Sequence, residues 1–391
     1  MFTNNVEEKK VEYLELIYDL IFVYLIGRNS SLIHHVENGF ISMDLFITYI
    51  LCTLVIIQIW NFTTLYINRY GSNGLAEHVC VFINMYLLYY MADGTRVHWQ
   101  EYYYRYNVAW GLILVNLAVQ HYLKMRQKSK EAPWEMAQIK NSMWILLTEA
   151  GIIFLSLPLY ALTKLPFSPL GMVFGIVATA LSGKVNQLVP VDFMHLTERA
   201  MLYVVFTFGE MIIGIASYFE GGFGFNTIYF SLMAFLIVTA LFLSYGVIYD
   251  HLIDREQSTN ATGYMLIHVF LILALNNITT ALEFMREEEV DLVKKSAFLI
   301  GSFLLYYVCL FLTERYAKER MRLNKKYVTI LVSLAVAFVA LMGIFYRQMY
   351  VNIAITLVFA LVVLGMLFRF WKTVVQKNDI LTRVKDGENH E

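Results

Sequence analysis

The strongest constraint on this chain is a series of long apolar runs separated by short polar segments. Each run is about twenty residues or more, the length at which a helix crosses a hydrocarbon core of ~30 Å. Core strands and core helices of soluble domains need less, so a soluble enzyme is excluded. Twelve runs are readable, over residues 11–36, 43–68, 75–95, 103–123, 141–163, 167–187, 196–219, 226–250, 262–284, 293–314, 327–346 and 349–370. Composition agrees: 58% of residues are hydrophobic and 16% charged, against roughly 25% charged in soluble domains. The runs lack the period-two alternation of a membrane barrel. Lipid offers the backbone no hydrogen bonds, so helices are left. The expected fold is all-α: a polytopic integral membrane protein of about twelve transmembrane helices, with the lipid bilayer as its first partner.

Lysine and arginine set the expected orientation. With the N-terminus in the cytoplasm and twelve alternating helices, 22 of the 30 basic residues fall inside. They include Lys9, Lys10, the 124–140 loop, the 315–326 cluster and the tail after about 371. That asymmetry follows the positive-inside rule and puts both termini in the cytoplasm. A net charge of -1 leaves no general basic field, so no nucleic-acid partner is expected. The polar N-terminal segment has no apolar stretch with a small-residue cleavage site, and it does not read as a cleaved signal peptide.

The two halves of the chain echo each other. Glu15 and Glu198 open the first and seventh spans, 183 residues apart, and Tyr66 and Tyr249 close the second and eighth at the same separation. His78 and His268 lie in the third and ninth. Six helices per half is an even number, so the repeats would be parallel in the membrane. The expected division is 1–187 and 188–391.

Ionisable residues inside spans are costly and are functional candidates by default. Glu15 and Asp19 are four apart, so they share one helix face. Arg69 closes the second span and His78 opens the third. Asp192, His195, Glu198 and Arg199 surround the start of the seventh, Asp250 ends the eighth, and His268 lies early in the ninth. These residues are expected to form one layer of mixed charge in the cytoplasmic third. Helix dipoles, positive-inside anchoring and capping explain several of them equally well. Glu210 is different, because it lies ~18 Å along its helix, near mid-membrane. Glu149 is similarly deep. Asn276 and Asn277 are placed to hydrogen-bond across helices.

Absent motifs narrow the chemistry. The sequence has no Walker A loop, no H-E-x-x-H and no G-x-S-x-G. Cys52, Cys80 and Cys309 lie in apolar runs without C-x-x-C spacing. No metal and no cofactor are expected, and nothing points to a familiar catalytic site.

Four stretches carry a family resemblance: E-L-I-Y-D-L-I-F-V at 15–23, W-N-F-T-T-L-Y-I-N-R at 60–69, H-L-T-E-R-A-M-L-Y-V-V-F-T-F-G-E at 195–210, and the segment from Asp250 to His268. On these the chain resembles the low temperature requirement A (LtrA) family of bacterial membrane proteins. It departs from the family where Y-G-S-N-G, not an acidic run, follows the N-R pair, and where Ala200 stands in place of a common Gly. The resemblance implies a bacterial plasma-membrane location and a link to growth in the cold, but no mechanism.

The expected function is a proton- or ion-linked secondary transporter acting on a small solute, ion or lipid. Asp19, Glu210 and His268 would take up protons, and Arg69 and Arg199 would hold the acids. Two other readings stay open: an intramembrane lipid-modifying enzyme and a non-catalytic scaffold or sensor. The oligomeric state is not readable.

Overall fold

A computed structural model describes residues 9–95, 99–127, 133–219, 222–259 and 261–388, with side chains to 376. The segment read for a signal peptide at 1–8, the basic residues Arg96, Lys128 and Lys130, and the side chains of Lys377, Arg383 and Lys385 lie outside the described residues. The chain divides into two compact units. Unit 1 comprises residues 1–206 and 256–269, and unit 2 comprises residues 207–255 and 270–391.

Unit 1 opens with α1 (Tyr13–Ser30) and α2 (Met43–Tyr70), joined by a two-residue-per-strand hairpin, β1 (Val36–Glu37) and β2 (Phe40–Ile41). The apolar run expected as helix to residue 36 therefore stops at 30. The reason is the Asn38–Gly39 pair: both residues have positive φ, 53° and 81°, the backbone that a tight hairpin turn demands. α2 starts at Ser42, whose hydroxyl accepts from the Leu45 amide and satisfies one orphan helix N–H. Then follow α3 (Leu75–Gly94), α4 (Trp99–Gln127), α5 (Pro133–Thr163), α6 (Pro169–Leu181), a single turn α7 (Gly183–Asn186) and α8 (Phe193–Gly214). Pro133 and Pro169 sit at helix starts, where a missing N–H costs nothing. α4 packs on α3 and α5, while α2 contacts α1, α4 and α6. The core between them is aromatic: Tyr18, Phe22, Trp60, Tyr103, Tyr106 and Trp110 are all buried.

Unit 2 holds α9 (Phe225–Val247), α11 (Leu292–Leu312), α12 (Lys325–Ile344) and α13 (Met349–Glu388), with the C-terminal parts of α8 and α10 (Thr262–Arg286). Asp291 and Asn324 cap α11 and α12 through their side chains. α13 packs on α9 and α12, and Phe338 stacks on Phe359 at 4.5 Å. After α9, a π-helical turn (Ile248–Leu252) leads to a short backbone pairing, in which Asp254 N–H donates to the Tyr316 carbonyl at 2.8 Å and Lys318 N–H to the Leu252 carbonyl at 2.9 Å.

Nine helices among the described residues are long and apolar enough to cross a membrane. The protein is thus an all-α, multi-pass membrane protein. Three expected spans fall short of that test, each for a physical reason. α1 carries Glu15, Asp19 and Arg28 within 18 residues, and α4 carries Asn107, Asn116, Gln120 and His121 in the stretch between its charged ends. α6 has 13 residues, ~20 Å of helix, because the 167–187 run breaks at Ser182 into α6 and α7.

Candidate functional site

The polar groups of α1, α2 and α8 meet inside unit 1. α1 offers Glu15 and Asp19, and α8 offers His195 and Arg199. Each pair is four residues apart and so lies on one helix face. The two faces meet in parallel register: Glu15 pairs with His195, and Asp19 with Arg199. All four side chains are at least nineteen-twentieths buried.

Arg199 is the centre. Its Nε donates to Asp19 Oδ2 at 3.3 Å and its Nη2 to Asp19 Oδ1, a forked arrangement that suits a planar guanidinium. Nη1 lies 2.9 Å from Glu15 Oε2, although that contact lacks hydrogen-bond alignment. Trp60 of α2 donates its indole N–H to Asp19 Oδ1 at 2.8 Å, and the Arg199 guanidinium lies 5.9 Å from its ring centroid. Asp19 therefore receives three donors.

The tautomer of His195 follows from its neighbours. Asn68 forms a paired contact with the Asp192 backbone: Asp192 N–H donates to Asn68 Oδ1 at 3.0 Å, and Asn68 Nδ2 donates to the Asp192 carbonyl at 2.9 Å. That pairing fixes which way the amide points. Nδ2 then also faces His195 Nδ1 at 3.0 Å, so Nδ1 must accept. Nε2 carries the ring proton and donates to Glu15 Oε1 at 3.3 Å. Glu15 Oε1 also accepts from the Glu12 N–H.

Asp192 caps the start of α8 through Oδ1 and accepts the Lys9 backbone N–H through Oδ2. The Lys9 ammonium donates to the carbonyls of Ile67 and Gly71 at the end of α2, both at 3.1 Å. Lys9 lies ahead of the first helix, and burial lowers its ammonium below the ordinary lysine range, with Glu77, Glu15 and Asp192 opposing.

The other candidates make contacts of their own. Arg69 donates through Nε to the Val189 carbonyl at 3.2 Å and lines a cavity of about 40 Å³ with Tyr66, His121 and Gln138. His78 is bonded to the Gly74 carbonyl and to the exposed Tyr13 hydroxyl. Glu198 is half-buried, one residue before Arg199 on another face. His268 is buried against Tyr264, bonding its carbonyl at 2.9 Å. Glu210 and Asp250 belong to unit 2, the first half-buried and the second exposed. Trp60 and Asn68 join the cluster without having stood among the candidates, and Asp192, one of the polar residues at the start of the seventh expected span, joins it too. Trp60 and Asn68 lie inside the 60–69 motif, and nothing in spacing alone singles them out.

The model of the bacterial low temperature requirement A protein (LtrA) family matches residues 10–365. The chain belongs to the LtrA family. No curated protein and no solved structure matches it. The cluster of this LtrA protein is built from three of the four stretches that carried the resemblance. Among the described residues, no group of three or more His, Cys, Asp or Glu is placed to hold a metal.

Proposed function

We propose that this LtrA protein is a proton-linked secondary transporter of the bacterial plasma membrane, with the Glu15–Asp19–His195–Arg199 cluster as its coupling group. The observation that carries this reading is a charge imbalance. Two buried carboxylates share one guanidinium and one histidine whose Nδ1 is engaged as an acceptor. Counting Lys9 and Asp192 as well leaves the imbalance unchanged. An unpaired buried charge is expensive, so one bound proton neutralises the cluster. Loss of that proton leaves α1 and α8 sharing a net negative charge, which favours a different packing of the two helices.

In this reading twelve helices cross the membrane with both termini in the cytoplasm, as two parallel six-helix halves, 1–187 and 188–391. The same-direction course of α1 and α8, set by the Glu15–His195 and Asp19–Arg199 pairs, supports it. A ligand that favours one packing shifts the equilibrium only by its differential affinity for the two. The link to growth at low temperature comes with the family and adds nothing to the mechanism.

Trp60 reports on the cluster directly. Its fluorescence is expected to titrate with pH in the detergent-solubilised protein, and to lose that titration in Glu15→Gln. In proteoliposomes, a panel of solutes should include one that moves protons only with the wild-type chain. Equal pH dependence in wild type and Glu15→Gln would remove the coupling role.

A further inference from the structure

A second buried acid lies between α2, α5 and α6. Glu149, on α5, is fully buried. Its Oε2 accepts from Gln58 Nε2 at 3.2 Å. Its Oε1 has no partner, and neither has Gln58 Oε1. Among the described residues no Lys, Arg or His pairs with it. The site is tightly built, since a Cβ on Gly175 of α6 would collide with both the Glu149 carboxylate and the Gln58 amide. Two buried oxygens without donors, one of them acidic, are what an ammonium group satisfies.

A cavity of about 220 Å³ lies next along α2, lined by Cys52, Val55, Trp99, Tyr106, Trp110 and Met172. Neither Glu149 nor Gln58 is in its lining, and Met172 and α2 link the two. Gln58 Nε2 also reaches the Met172 carbonyl at 3.4 Å, and Val55 precedes Gln58 by about one turn. Three of these side chains are aromatic, and Trp99 and Tyr106 meet edge-on at 4.9 Å. Aromatic faces attract cations. The one charged residue in the lining is the exposed Asp44, and no basic residue is among them. Cavities near 150 Å³ admit one benzene-sized ring, so the space suits a body of one ring or a short branched chain.

We infer that the cavity and the Glu149–Gln58 oxygens form one binding site for a small organic ammonium compound, its apolar body among the aromatic walls and its N–H groups on Glu149 Oε1 and Gln58 Oε1. Met172, unbranched and adaptable, is the part of the wall that yields to admit the ammonium end. The site deepens the transporter reading and rests on it for its role as a substrate site. α2 carries the cavity at 44–55, Gln58 next, and Trp60 of the charge cluster two residues on.

The test uses the full chain in detergent at one fixed pH. It is titrated with benzylammonium chloride and with benzyl alcohol, an uncharged molecule of similar size, following thermal stability and tryptophan fluorescence. Benzylammonium is expected to bind saturably and at least tenfold more tightly than the alcohol. Glu149→Gln keeps the size of the side chain and should erase that preference while still binding the alcohol. Cys52→Phe fills the cavity and should abolish both, with Val55→Phe as the second variant should the first not fold. Equal affinity for the two probes, or an unchanged preference in Glu149→Gln, overturns the inference. So does a co-purified lipid chain that excludes both probes. Binding without pH-driven flux removes the transport reading and leaves this site standing, and flux without binding does the reverse.

Discussion

Arg199 has no water to fall back on, so its two acids decide whether the core of unit 1 holds. Asp19→Asn removes the forked partner while the guanidinium stays buried. Breaking a buried pair from one side costs about 3–5 kcal/mol, and a lower unfolding midpoint in detergent should show it. Replacing both partners together in a Glu15→Gln chain, Asp19→Leu with Arg199→Met, should recover most of that loss, because no unpaired charge is left behind. A double variant as unstable as Asp19→Asn would mean that the pair is not the source of the cost. Asn68→Ala tests the tautomer. It strips the Asp192 N–H of its acceptor and leaves the Asp192 carbonyl with the Leu196 N–H alone, a loss of about 1–3 kcal/mol, and frees His195 Nδ1 to take the proton. Nitrogen NMR of labelled histidine should then show the ring proton redistributed from Nε2. The Glu15–Asp19 pair was legible in the sequence because helix geometry puts residues four apart on one face. Their partners were not, since which faces meet depends on packing that no local spacing encodes. Trp60 shows this well: it reads as an ordinary apolar residue until its N–H is found on Asp19.

At the scale of elements, the helices were readable wherever an apolar run met a clear punctuation mark. Ser42, Asp291 and Asn324 cap where runs begin, and Pro169 opens α6. Two runs came out markedly shorter than expected because turn chemistry overrode hydropathy. The run ending at 36 is cut by the Asn38–Gly39 hairpin, and the run ending at 187 is broken near Ser182. Glu149 was visible as a deep acid, yet Gln58 and Gly175 around it were not. Gly175 is the element-scale test. Ala there would thrust a methyl group into Glu149 and Gln58, pushing α6 off α2 and α5. Overpacking of this kind costs about 1–3 kcal/mol, so Gly175→Ala should lower the melting temperature. Gly151, on α5, has open space around its position. Gly151→Ala should leave the midpoint unchanged or raised, since alanine is the better helix former. Equal losses in both would point to a general intolerance of α5 and α6 rather than to contact with the buried acid.

For the whole molecule, the question is whether α1, α4 and α6 cross the membrane although composition or length argues against each. Buried partners argue for α1, because its acids are paired with α8 and need not face lipid. α4 keeps its charges at its two ends, with Glu101 and Arg105 at one and Lys124 and Arg126 at the other, leaving an apolar middle at 108–119. α6 is short, and the single turn α7 extends it. Hydropathy scores a side chain without its neighbours, so it does not decide the three. Single cysteines at exposed positions decide the matter, as the native Cys52, Cys80 and Cys309 are buried. With twelve crossings, Glu37→Cys and Lys164→Cys react with a membrane-impermeant maleimide from outside, while Arg126→Cys and Arg320→Cys react only after the membrane is opened. If neither α4 nor α6 crossed, positions 126 and 164 would exchange sides and 320 would stay inside. If α6 alone failed, 320 would be labelled from outside. The four sites together therefore separate the three topologies.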